Sequence, residues 1–259
     1  WKMWRELRTP AQEEQGATEA LADEDLNHDG TIAKGAPRKT FAQAAWQILI
    51  ADVSMSLDNV LAAAYLYPGW RVRFYVDGSV PQGFLACLQE HGAEIKVQPD
   101  GQSQRQRLCW RFQVANDPGV GRFLVRDADS VLNLRERLAV DDWLASGRWF
   151  HIMRDWWSHT DLVLAGMWGG CGGVFRQLRQ SMVDFMAQGQ YLGLRVVDQH
   201  FLRQCIWPTV RQSLLSHDPV FGFMDGQDFP PHPAQDLGEA FHVGSNLSST
   251  SIGASTDLP

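Results

Sequence analysis

Cysteine is scarce and scattered: Cys87, Cys109, Cys171 and Cys205 are the only four, and no two form a C-x-x-C pair. That spacing removes the short-range redox and thiolate-metal motifs and fits buried thiols in a reduced, cytosolic setting. Positive charge is in deficit, with 23 Lys and Arg against 30 Asp and Glu, so nothing in the balance attracts nucleic acid. No secretory signal stands at the start, where Trp1-Lys-Met-Trp-Arg-Glu6 is amphipathic and charged. The chain opens without methionine, as a fragment would, although Met3 could serve. Beyond Ala64 no apolar run again reaches the length of a bilayer span. What is present is a hydrophobic fraction of 44% and 11 Trp, enough for a core over most of the 259 residues. The length suits one large domain or one domain with an appendage.

Three stretches differ in character. Residues 1–40 are polar and acidic, and Asp25-Leu-Asn27-His-Asp29-Gly30-Thr-Ile32 matches the first half of a calcium loop. Ala36 stands where that loop needs a bidentate Glu, so the segment reads either as a weak cation site or as an acidic turn. Residues 41–65 hold no Lys, Arg, Gly or Pro and are long enough for a membrane helix, with Asp52, Ser56 and Asn59 on one stripe and Ser54 and Asp58 on the next. In a bilayer those acids would mark an ion path; in water the same pattern is an amphipathic helix with a polar face.

From Pro68 the pattern becomes α/β. Arg71–Asp77 alternates and stops at Gly78, which predicts a strand; Pro81–His91 has helical spacing with Gly92 as its stop; Ala93–Val97 predicts a second strand. Helical stretches are expected at Leu108–Ala115, Leu132–Ala145, Val174–Ala187, Asp198–Ile206 and Pro208–Ser216, and strands at Gly121–Arg126 and Phe150–Met153. The glycine-rich Gly166–Gly173 precedes a helix and reads either as an ordinary loop or as a place where backbone comes close to a ligand, and residues 223–259 read as an irregular or disordered tail.

The most informative run is Phe123-Leu-Val-Arg-Asp-Ala-Asp-Ser130, an apolar strand ending in two carboxylates. On an extended segment Asp127 and Asp129 share a side, at the end of a strand where open α/β sheets bind ligands. Two such oxygens suit a hard divalent cation that also holds phosphates; the alternative is a solvated strand-end turn.

This run, together with Tyr67-Pro-Gly-Trp-Arg-Val-Arg-Phe-Tyr-Val-Asp77, Phe150-His-Ile-Met-Arg-Asp155, Gly166-Met-Trp-Gly-Gly170 and Asp198-Gln-His-Phe-Leu202, resembles the GT-A glycosyltransferases over residues 66–222. The resemblance implies a Rossmann-related mixed sheet flanked by helices, and metal-dependent transfer of a sugar from a nucleotide-sugar donor to an unknown acceptor. It implies Mn2+ or Mg2+ on Asp127 and Asp129, with His217 as a further ligand. Asp198 would be the catalytic carboxylate at the donor sugar, with Gln199 beside it. Arg126, Arg154, Asp155, Gly169 and Gly170 would contact substrate. It also implies that the family's first strand is missing here, because an apolar helix runs straight into Tyr67-Pro-Gly-Trp70.

Residues 1–64 resemble a different family, the TerC integral membrane proteins, through Trp1–Leu7, the acidic loop and above all Ala51-Asp-Val-Ser-Met-Ser-Leu-Asp-Asn-Val-Leu-Ala62. That resemblance implies metal-ion export, with Asp52, Asp58 and Asn59 lining an ion path and membrane association through residues 41–65. A third expectation is a non-catalytic remnant that folds without turnover.

Overall fold

The computed structural model describes residues 57–189, 196–231 and 242–245. The chain divides into two compact units, 1–50 and 51–259; the first lies wholly outside the described residues. So do the calcium-like loop, Asp52 and the tail beyond Ser245.

The second unit is a mixed α/β assembly with two sheets. Helix α1 covers residues 57–66 and is followed by β1, Arg73–Val76. Then come α2, Gln82–Glu90, and β2, Glu94–Val97. β1 and β2 pair in parallel as a sheet of two. Val60 of α1, Leu88 of α2 and Ala93 are buried together over this sheet, with Val72, Phe74 and Ile95 against them. α2 spaces its apolar residues to bury Leu85 and Leu88 on one face. It ends at Gly92, whose φ of 89° a side chain would resist.

Helix α3, Gln104–Cys109, begins with a capping box between Ser103 and Gln106 and continues into a 3-10 helix, Trp110–Asn116. The expected single helix at Leu108–Ala115 is therefore two pieces with a change of winding at Cys109. The second sheet contains β3 (Arg122–Arg126), β4 (Phe150–Met153), β5 (Met167–Cys171) and β6 (Leu214–His217), in the order β3-β5-β4-β6. β5 runs antiparallel to β3 and β4, and β4 runs parallel to β6. The carboxyl ends of β3, β4 and β6 therefore share one edge of the sheet.

Helices α4 (Leu134–Ala145), α5 (Leu178–Gln188), α6 (Val197–Phe201) and α7 (Trp207–Val210) complete the unit, with a π-type turn at Leu202–Ile206 between the last two. The main core contains Phe112, Phe123, Val125, Phe150, Ile152, Trp168, Phe201 and Leu202. All four cysteines are free. Burial pushes the Cys109 thiol up to about 12, so it stays protonated and inert.

Two elements differ from expectation. Gly166–Gly173 is not a loop, because Met167–Cys171 is a buried strand at the centre of the sheet. A Cβ on Gly169 would sit 2.7 Å from the Phe123 carbonyl, and one on Gly170 would sit 2.6 Å from the Phe150 ring. Gly170 leaves room for the Phe150 and Phe123 rings of the flanking strands, and Gly169 for the backbone of β3 and the Leu124 side chain. Pro208–Ser216 is not one helix either. It turns after Val210, and Leu214–His217 joins the sheet edge beside β4.

Candidate active site

The site is built at the edge where β3, β4 and β6 end. The chain turns immediately after Arg126: the Ser130 amide donates to the Asp127 carbonyl at 3.2 Å. Asp127 and Asp129 thus sit in a turn, and the argument from extended alternation does not govern where they point. Asp129 is exposed, while Asp127 has a half-exposed side chain paired with Arg111. The Asp127 carboxylate needs Gly166 across the sheet edge, because a Cβ at that position would collide with it.

Arg111 is the residue that reading the sequence missed. It lies on the 3-10 helix after α3, and its guanidinium bridges Asp127 and Asp198, with Nη2 donating to Asp198 Oδ2 at 3.0 Å. Burial works against the Arg111 charge, and the two carboxylates outweigh it, so its pKa sits above the ordinary value. Asp198 is only 8% exposed, and its second oxygen accepts from the Gln199 amide at 3.0 Å. The sequence carried one faint signal for Arg111: a lone guanidinium inside Cys109-Trp-Arg-Phe112, where both aromatic neighbours are buried. Gln199 points its carbonyl at the Ala165 amide, 3.2 Å away, and so steadies the turn before β5.

Beside this edge opens a cleft of about 880 Å³, lined by Asn59, Tyr67, Trp70, Arg111, Leu124 and Asp127 among others. Its floor carries a buried network in which Arg126 pairs with Glu136 and the Tyr67 hydroxyl donates to Glu136 at 3.0 Å. Burial first, then the Glu136 charge, push the Tyr67 phenol far above its ordinary value. Arg126 is therefore tied into this network and meets the cleft from below.

Several expected contacts lie elsewhere. His217 is fully buried on β6, three strand spacings from β3, or roughly 14 Å. It bonds His151 at 2.8 Å and Asp142 at 3.2 Å, so it is a core histidine and not a partner of the acidic pair. Arg154 is 3% exposed and donates to the Asp161 and Leu162 carbonyls. Asp155 accepts a two-pronged pair from Arg135 at 2.9 and 2.7 Å, and the Val243 amide at 3.0 Å. Both hold loops together and have little left to offer a sugar. Gly169 and Gly170 are sealed within the sheet.

Residues 242–245 form a strap across the same edge. Ser245 accepts from the Val131 amide at 2.9 Å, Gly244 accepts from the Ser130 hydroxyl, and His242 stacks on Trp156 with ring centres 4.8 Å apart. On α1, Asp58 is exposed and Asn59 donates to the Ala128 carbonyl at 2.6 Å, which ties this helix to the acidic turn. Among the described residues no helix is long and apolar enough to cross a membrane, and no three His, Cys, Asp or Glu side chains gather as a metal-binding group.

Comparison with family models, curated proteins and solved structures returns no match to this chain.

Proposed function

We propose that the chain binds a nucleotide-sugar through its diphosphate at the edge formed by Asp127, Asp129, Arg111 and Asp198, and transfers the sugar to an acceptor, as the GT-A enzymes it resembles do. The observation that carries this reading is the Arg111 guanidinium held between Asp127 and a buried Asp198 at the border of a large cleft. A fixed guanidinium offers paired donors to phosphate oxygens, and Asp198 keeps its plane in place. As the sugar bond breaks, charge gathers on the departing diphosphate, and a cation already in position stabilises it without reorganising.

Asp127, already paired with Arg111, and the exposed Asp129 would be the two oxygen donors for a divalent ion that takes its remaining positions from phosphates and water. Mn2+ or Mg2+ bound there would neutralise diphosphate charge. Asp127 would divide its carboxylate between that ion and Arg111, and Gly166 leaves room for it to do so.

Titration with manganese plus uridine or guanosine diphosphate tests the proposal. Wild type should bind only with the metal, and Asp129→Ala should lose the metal dependence while melting at the same temperature. Equal binding by both proteins, or none by either, would remove the acidic pair from the function. A reading without turnover also has an observation in its favour: Arg111 already neutralises Asp127. For that reading, nucleotide binding persists while hydrolysis and transfer of the sugar stay at background.

A further inference from the structure

The two sheets each end in a strand with a bare side. Among the described residues β1 pairs only with β2, and β3 only with β5. Residues of both strands border one space: Val72–Tyr75 and Phe123–Arg126 line the same 880 Å³ cleft. Backbone donors and acceptors there require partners, and edge strands are usually blunted by Pro, Lys or a bulge. Arg73-Phe-Tyr-Val76 and Arg122-Phe-Leu-Val-Arg126 contain neither Pro nor Lys. The matching chemistry is an alternation of N–H and C=O at about 3.3 Å per residue on both flanks, which only another extended backbone supplies.

The lining also selects for charge. Six arginines (71, 73, 107, 111, 122 and 126) line it, and four of them are already paired: Arg73 with Glu94 and Asp117, Arg107 with Asp77, Arg111 with Asp127 and Asp198, and Arg126 with Glu136. Arg71 and Arg122 have no carboxylate partner among the described residues, although Arg122 donates to the Arg148 carbonyl at 3.2 Å and lies over the Trp143 ring. These two uncompensated guanidiniums favour acidic side chains on an occupant. Tyr67, Trp70, Leu124 and Leu132 supply an apolar wall for the side chains between the acids.

We propose that this cleft is a strand acceptor: it takes an extended acidic segment of another polypeptide between β1 and β3 and joins the two sheets through it. The inference draws on the same cleft as the sugar-transfer reading but on different groups, the backbones of β1 and β3. The four residues of β1 and five of β3 span roughly 13–17 Å, so an inserted strand of four to six residues fills the length.

Amide hydrogen exchange on the full chain decides the matter, with a capped octapeptide alternating valine and glutamate as probe. In the protein alone, the amides of β1 and β3 that face the cleft exchange at least tenfold faster than those of β4. Adding the peptide slows both sets at least tenfold. A valine–lysine version does not, nor does one methylated on alternate backbone nitrogens, and Arg122→Glu weakens the effect about tenfold. Edges already protected without peptide would show the slot filled by this chain or a second copy, and overturn the proposal. Equal protection by the methylated peptide, or no protection by any, would overturn it too.

Discussion

With Arg111 changed to alanine, the nearly buried Asp198 keeps only the Gln199 amide and loses its compensating charge. Stranding one member of such a pair costs about 3 kcal/mol, which urea denaturation would read as a lower midpoint at unchanged slope. The histidines give a second prediction. His217 Nε2 meets both Asp142 at 3.2 Å and the Gln227 side-chain amide at 3.3 Å, its Nδ1 shares one proton with His151 Nε2 at 2.8 Å, and His151 Nδ1 is left buried without a partner. Burial lowers the pKa of His151, with the His217 charge adding to it, and burial lowers that of His217 as well. His159 is held down at about 4 by burial and the neighbouring His242. Unfolded histidines bind protons more readily than these, so stability is fully present above pH 6.5 and falls as pH drops toward 4. Denaturation at pH 7.5, 6 and 4.5 should show that fall, and His159→Asn should flatten part of it. Asp127 was legible because carboxylates closing an apolar run are conspicuous. Arg111 was not, because its meaning depends on a 3-10 turn bringing it to two acids from distant parts of the chain.

Elements were readable where one face decides burial. α2 and β3 follow their apolar spacing closely, and α4 is announced by Asn133, whose side chain accepts from the Glu136 amide at 2.8 Å. β5 was hidden for a physical reason: Met-Trp-Gly-Gly-Cys lacks the branched residues of a strand, since the room they would occupy belongs to Phe123 and Phe150. β6 was hidden because Leu-Leu-Ser-His has no alternation, with its polar members buried against β4. Gly170→Ala should therefore destabilise by about 1–3 kcal/mol through overpacking against Phe150. Phe150→Leu alone also destabilises, yet the double variant should recover part of the loss. A thermal-melt cycle with strictly additive terms would refute that coupling.

At the scale of the molecule, sequence reading recovered an α/β unit but not its division into sheets of two and four strands, because pairing depends on which edges meet. Nor did it foresee that the last described residues return to the acidic turn. A chain ending at residue 241 loses the bonds from Val131 to Ser245 and from Ser130 to Gly244. Its sheet should persist, while the amides of residues 128–131 exchange about tenfold faster than in the full chain. Unchanged exchange there would mean that the turn is held by α1 through Asn59 alone.

The strap has a consequence for the order of events during synthesis. Asp127 and its neighbours emerge from the ribosome more than a hundred residues before Val243, so nascent chains carry the acidic turn unfastened until Val243–Ser245 have followed. The turn would then be fastened in one step, after the sheet that carries it has been made.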